Sequence, residues 1–212
     1  MALQRIYNAL RRAYGPQHWW PAETSFEVMV GAVLTQNTAW SNVERAIANL
    51  KQARHLDPHA IHAVANAQLA AWLKPSGYFN IKAHRLKNFC AWYIAAGGYA
   101  TLEKYSTLEL RHDLLAVNGV GPETADDILL YAFQRAVFVV DAYTKRIFSR
   151  VGLFDKTAPY EQVRAYFESR LTPDVALYNE YHALIVRHAK DICRPKPRCD
   201  VCCLKKICDR RV

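Results

Sequence analysis

Leu115-Ala-Val-Asn-Gly-Val-Gly-Pro-Glu-Thr-Ala-Asp-Asp-Ile-Leu129 joins the end of one helical pattern to the start of another through a turn that holds two glycines. Gly119 and Gly121 permit positive φ and a close approach of backbone to another molecule, and Pro122 suits the first position of a helix. The positive end of that second helix, with its outward N–H groups, suits an anion such as a DNA phosphate. Taken alone, the stretch reads more readily as an ordinary turn between helices. Seven residues beyond the second helix lies Phe138-Val-Val-Asp141. An acid there follows a buried-looking apolar run, where an ionised carboxylate is costly without a partner or a task.

Outward from the hairpin, helical periodicity dominates. Ala125, Ile128, Leu129 and Ala132 recur at i, i+3, i+4 and i+7 between Glu123 and Gln134, and Leu177, Tyr181, Leu184 and Ile185 repeat the pattern. The spacing predicts further helices at about 2–14, 25–35, 40–53, 60–73, 82–96, 107–117, 143–152 and 159–170. Gly and Pro punctuate between them, and no segment alternates cleanly enough to demand a strand. The apolar run 136–140 reads as a connector. The expected fold class is all-α, without internal repeats.

The chain has 212 residues, 51% of them hydrophobic, enough for one large or two small domains with a buried core. Its formal net charge of +9 favours an anionic partner without naming one. From Cys193 to Val212 there are seven basic residues against Asp200 and Asp209, so more than half of the excess sits in the tail. The N-terminus has no long apolar segment and no stretch reaches transmembrane length, which predicts a cytoplasmic protein without a membrane partner. In a reducing compartment six cysteines, five of them in the last 20 residues, read as metal ligands rather than disulfides. Cys193, Cys199, Cys202 and Cys208 give C-x5-C-x2-C-x5-C, compact enough for four thiolates to hold zinc or a [4Fe–4S] cluster. Cys203 and Cys90 are expected to be non-ligands.

Leu-x-x-x-Gly-Val-Gly-x-x-Thr-Ala followed by Val-Val-Asp resembles the helix-hairpin-helix plus Gly/Pro-Asp signature of the endonuclease III, adenine and alkylpurine DNA glycosylases. The resemblance makes Asp141 the catalytic aspartate, and Gly119, Val120, Gly121 and Thr124 part of the hairpin that grips the DNA backbone. Lyase-active members carry at the position of Glu123 a lysine whose amine forms a Schiff base with the sugar. A carboxylate cannot form that imine, so the implied reaction is base removal by water without efficient nicking. Phe26-Glu-Val-Met-Val-Gly-Ala-Val-Leu-Thr-Gln-Asn-Thr-Ala-Trp40 is similar to the family's early helix, and Gln36 matches the glutamine that fills the gap in the duplex. Trp19-Trp20-Pro21 with Trp40 looks like the 3-methyladenine glycosylase branch, in which Trp20, Pro21 and Trp40 would line the base pocket. Such a pocket suits a flipped, cationic alkylated base, which gains from cation–π attraction and departs neutral. Gly77-x-x-x-x-Lys82-Ala resembles a family turn that opens a helix; Lys82, Arg85 and Lys87 then either reach phosphate or form a solvated helix face.

The cysteine tail closes a family-like chain, which favours the [4Fe–4S] cluster over zinc, although the first gap is one residue shorter than the family's C-x6-C. By the same resemblance two helical lobes are expected. Residues 26–135 would form a central domain with the hairpin, and 1–25 with 136–212 a second, discontinuous domain carrying the cluster loop 193–208. Damaged double-stranded DNA and Asp141 would meet between them, in a monomer that associates with the nucleoid when bound to DNA. The predicted activity is that of a base-excision DNA glycosylase, a hydrolase of N-glycosyl bonds. The alternatives are a glycosylase and abasic-site lyase using a lysine such as Lys145, a non-catalytic hairpin module, and a zinc-bound nucleic-acid adaptor.

Overall fold

The computed structural model describes residues 2–19 and 22–209, among which there are helices and no strand. In chain order the helices are α1 (Ala2–Tyr14), α2 (Ser25–Leu34), α3 (Trp40–Gln52), α4 (Pro58–Ala63), α5 (Asn66–Leu73) and α6 (Phe79–Ala95). They continue as α7 (Tyr99–Leu102), α8 (Thr107–Ala116), α9 (Pro122–Asp127), α10 (Ala142–Val151), α11 (Tyr160–Glu168) and α12 (Val175–Asp191). Two compact units divide them: a middle unit, Ala22–Arg135, and a terminal unit made of Met1–Pro21 with Ala136–Val212. Among the described residues no helix is long and apolar enough to cross a membrane.

The middle unit is built around α2. Thr24 caps it by accepting from the Glu27 N–H at 3.1 Å, and every residue from Glu27 to Leu34 is buried. A helix apolar all round belongs in the centre of a bundle. Accordingly α2 packs on α3, α6, α9 and the π-helical turn Ile128–Ala132 that extends α9. Met29, Val30, Val33, Leu34, Val43, Leu50, Leu86 and Phe89 form its core. Each such large side chain contributes about 1.5–3 kcal/mol. Buried Glu27 is answered by Lys51, whose ammonium lies 3.0 Å from it.

Two of the expected helices are built differently, and α7 was not expected. The predicted helix 60–73 is α4 and α5, separated at Val64 and Ala65, whose ψ of 149° and 141° are extended. Asp57 caps α4 with bonds from the His59 and Ala60 N–H groups and so starts it early. The predicted helix through Gln134 stays α-helical only to Asp127 and then widens.

In the terminal unit α12 is the buried element, packed on α1 and α10. Leu3, Ile6 and Leu10 of α1 meet a face carrying Tyr181, and the Tyr181 hydroxyl donates to the Leu3 carbonyl at 2.8 Å, which fixes the N-terminal helix to the last one. Phe138 stacks on Phe167 at 4.1 Å, and both stand edge-on to Tyr181. This cluster explains the apolar run before Asp141: Val137, Phe138, Val139 and Val140 are buried as an irregular connector.

Candidate functional site

Asp141 caps α10. Its Oδ1 accepts from the Thr144 N–H at 2.7 Å and from the Thr144 hydroxyl at 2.8 Å. An aspartate three residues ahead of a threonine at a helix start is the local sequence that produces this geometry. The other oxygen, Oδ2, lies 3.5 Å from Nε2 of buried His182 on α12. Burial by itself pushes the Asp141 carboxyl up, but His182 and the two Thr144 bonds outweigh it and hold the group below the usual carboxylate range. Asp141 is thus an ionised acid in a nearly dry place, with one oxygen fixed and the other turned to a histidine. Trp19 stands edge-on to the same imidazole, centroids 6.5 Å apart. Lys145, one residue past Thr144, gives its amine to the Ala158 carbonyl at 2.9 Å.

The hairpin lies in the middle unit. Ser106 and Glu109 start α8 with a reciprocal capping box, and α8 ends at Ala116, with Val117 extended after it. Val120 turns inward, only 7% exposed, with its N–H on the Val117 carbonyl at 3.0 Å. Gly119 has φ +98° and a Cβ built there would sit 2.3 Å from Cγ of Arg85, so glycine is required twice over. Gly121 is different: its φ of −96° and ψ of 178° are ordinary extended backbone, so the positive φ that a glycine permits is not used there. Pro122 occupies the start of α9, and Glu123 follows it exposed, where the helix dipole favours an acid.

Gln36, just beyond α2, joins this turn. Its side-chain N–H groups donate to the Gly119 carbonyl at 3.0 Å and to the Thr124 hydroxyl at 3.1 Å, and its carbonyl accepts from Arg85. Three of the residues singled out in the sequence, Gln36, Gly119 and Thr124, are therefore in direct contact. Lys82 is not where the sequence suggested. Its side chain is 1% exposed and its ammonium donates to the Leu34 and Ser76 carbonyls at 2.8 and 2.7 Å, which leaves it no reach to a phosphate. Burial, helped by the Arg85 charge, lowers its pKa to about 8. The Leu34 carbonyl, at the last residue of α2, has no helical donor and is free to accept from the amine. Lys87 likewise turns to the Val64 carbonyl at 2.5 Å. Trp40 opens α3 half-buried, its indole N–H on Glu44 at 2.9 Å. Trp20 and Pro21 lie outside the described residues.

In the terminal unit Cys193, Cys199, Cys202 and Cys208 line one cavity of about 30 Å³, whose wall also includes Ile147, Val151 and Leu204. Cys90 is buried in α6, where burial pushes its thiol up to about 12, and Cys203 is exposed. Two donors point at the cavity's sulfurs: the Leu204 N–H at 3.4 Å from Cys202 and the Arg150 guanidinium at 3.5 Å from Cys193. Burial raises Cys202 to about 11, so a thiolate there calls for a positive centre. Among the described residues no three His, Cys, Asp or Glu side chains converge closely enough to hold a single metal ion.

Thr144, His182 and the inward role of Arg85 escaped the sequence. Thr144 carried a signal, its spacing from Asp141. His182 carried none, since only the packing of α12 on α10 brings it to the acid.

A family model described as HhH-GPD superfamily base excision DNA repair protein matches residues 30–173. Over 211 residues, 97% of this chain and 95% of the relative, the sequence is 49% identical to a Methanocaldococcus jannaschii protein provisionally named a DNA repair glycosylase. The solved structure of the H. pylori 3-methyladenine DNA glycosylase bound to 1,N6-ethenoadenine is similar with a TM-score of 0.76 and 28% identity, over 89% of this chain and 97% of that one. A non-covalent endonuclease III–DNA complex gives 0.85 at 19% identity over 99% and 96%, a likeness of fold.

Proposed function

The chain belongs to the HhH-GPD superfamily of base excision DNA repair proteins, and on that premise we propose that it hydrolyses the N-glycosidic bond of an alkylated base flipped from duplex DNA, without cutting the strand. The observation that carries the reading is Asp141: ionised, nearly buried, one oxygen fixed by Thr144 and the other facing His182. A carboxylate so held stabilises the positive sugar that forms as the base departs, or takes a proton from the attacking water. Low local dielectric strengthens the first effect. Thr144 is the positioning partner, since its two bonds prevent the carboxylate from rotating.

Strand cutting through an imine needs an unprotonated amine at the sugar. Glu123 offers none at the lyase position, and the Lys145 amine is engaged by the Ala158 carbonyl. Alkylated bases as substrates are supported by the likeness to the H. pylori enzyme, 28% identical over nearly the whole of that chain. An alkylated purine is cationic, so it is attracted by aromatic faces and leaves without much acid catalysis. Duplex DNA is gripped at the hairpin of Gly119, Val120 and Gly121, with Thr124 and Gln36 beside it.

Cys193, Cys199, Cys202 and Cys208 would hold a [4Fe–4S] cluster, four thiols on one cavity wall being the donor set that such a cluster takes. Such a cluster supplies a structural cross-link and a redox-active centre. Arg150 and the Leu204 N–H are the donors that would temper its sulfur charge.

The test is to incubate the protein with duplexes carrying 3-methyladenine, 7-methylguanine, hypoxanthine, uracil or an oxidised pyrimidine, and to assay free base and strand breaks separately. Release of an alkylated base without breaks is expected. Breaks before alkali, or an adduct trapped by borohydride, would instead establish lyase chemistry, and silence on every lesion would favour a binding module.

A further inference from the structure

Asp141 lies within the residues that the family model matches, 30–173, but two side chains that bear on it do not. His182 of α12 turns Nε2 to Oδ2 of Asp141 at 3.5 Å, and Trp19, between α1 and α2, stands edge-on to the same imidazole with the ring planes 78° apart. An ionised carboxylate can only accept, so a hydrogen bond at Oδ2 needs the imidazole proton on Nε2. Trp19 is itself held from α12. The Gln17 N–H donates to both oxygens of Glu180, at 3.1 and 3.2 Å, and Arg11 reaches the same carboxylate at 3.4 Å. The Gln17 side chain donates to the Tyr14 and Gly15 carbonyls, which closes the turn that leads from α1 to Trp19. Helix α12 therefore seats the N-terminal segment and presents an imidazole to the acid at once. Other charges close in sequence are turned elsewhere: Lys145 to the Ala158 carbonyl and Arg146 to those of Cys193 and Ala189.

We propose that His182 is a positioning residue for base release, clamped between Trp19 and Asp141, and that the segment 15–19 acts on the reaction through it. The inference rests on the reading of Asp141 as the carboxylate that serves the departing base's sugar. Thr144 fixes Oδ1, so Oδ2 is the oxygen left to face a sugar or a water. Burial pushes the Asp141 carboxyl up, and His182 with Thr144 brings it back down, which keeps the charge in place. A half-turn of the imidazole about its Cβ–Cγ bond would put a carbon where Nε2 stands. The indole edge of Trp19 opposes that flip, and Glu180 keeps Trp19 at its station through Gln17.

The test uses the full chain and a duplex carrying whichever of 3-methyladenine, 7-methylguanine, hypoxanthine, uracil or an oxidised pyrimidine the wild type releases. A tetrahydrofuran abasic duplex, which supports no base release, reports binding. His182→Leu keeps an apolar side chain in place and removes Nε2. It should slow single-turnover release about tenfold at pH 8 and by more at pH 5. Without the donor Asp141 takes up its proton at a higher pH, so the acid limb of the rate profile moves up. Affinity for the abasic duplex should stay within about twofold of wild type. His182→Gln, which brings an amide N–H to the place of Nε2, should recover most of the rate, and His182→Asn, whose amide falls short, should not. Trp19→Leu should lose about fivefold, and Glu180→Ala should lose in the same direction. The double variant of Trp19→Leu with His182→Leu should be no slower than His182→Leu alone. An unmoved acid limb in His182→Leu, or a Gln variant no faster than the Asn one, would reduce His182 to packing and overturn the proposal. Multiplied losses in the double variant would show Trp19 acting on the base itself, and would overturn it too. Melting curves identify a variant that fails to fold; should His182→Leu be one, the rates and acid limbs of His182→Gln and His182→Asn decide. Wild-type protein that releases none of these bases would instead refute the reading of Asp141, and this inference with it.

Discussion

The hairpin of the middle unit and the cysteine loop of the terminal unit are built on opposite plans. The hairpin runs between regular helices, with Val120 buried, a capping box at Ser106 and the Gln36 amide tied to its turn. Among the described residues the loop after α12 has only the short 3₁₀ turn Cys199–Val201 and one buried apolar residue, Leu204. Its backbone is carried by arginines of α10: Arg146 donates to the Cys193 and Ala189 carbonyls, and Arg150 to those of Arg194 and Pro195. Protein packing alone fixes the first region. The second buries little apolar surface, and thiolate ligation as proposed above would supply order that packing does not.

The largest expected effect separates chemistry in the terminal unit from grip in the middle one. Asp141→Asn keeps the cap and the shape but removes the charge, so single-turnover base release should fall roughly 10²–10⁴-fold, while binding to the same duplex changes little. Equal loss of both would show that Asp141 holds the structure rather than acts on the sugar. Next comes the contrast in self-sufficiency. Cys199→Ser should abolish broad visible absorbance and expose the loop to proteolysis between Cys193 and Cys208, with the segment 22–135 still resistant. A wild-type protein that is colourless and contains zinc would break the assignment of the cluster. Gly119→Ala attacks the other region: it forces φ +98° on an alanine and displaces Arg85. It should destabilise the protein by roughly 2–4 kcal/mol in urea unfolding. An effect below about 0.5 kcal/mol would mean that the turn is softer than its geometry implies.

The same contrast governs what the sequence discloses. Local features were legible: helical periodicity, the Gly119 turn with Pro122 after it, the spacing of the four cysteines, and an acid after Val140. Each depends on residues a few positions apart. What the sequence hid depends on distant partners. Lys82 looks like a surface cation until Leu34, 48 positions away, offers it a carbonyl. His182 reaches Asp141 only because α12 packs on α10. Gly121 shows a different limit, since glycine marks permission for a positive φ and not its use, and the sequence does not tell which glycine uses it. The break at Val64 and Ala65 was invisible because both residues are compatible with a helix, and the extended backbone there comes from the packing of two short helices on α6.

The smallest expected effect concerns Lys82, the buried cation under the hairpin's neighbour α2. Its folded pKa, about 8, lies below the ordinary 10.5, so between those values the unfolded chain binds the proton more readily than the folded one. Stability must therefore rise as pH climbs from about 8 towards 10.5, and level off where both states share one protonation. A neutral amine still has two N–H bonds, one for each of the Leu34 and Ser76 carbonyls, so deprotonation removes the cost of the buried charge without orphaning either acceptor. Lys82→Met orphans both, and should cost about 1–2 kcal/mol at neutral pH. The difference between wild type and Lys82→Met isolates this one group from the tyrosines and other lysines that titrate nearby, and it should widen across that window in urea unfolding. A difference that stays flat from pH 8 to 10.5 would mean that the two carbonyls hold the ammonium as well as water does. In that case the end of α2 is fastened by a charge rather than by a neutral amine.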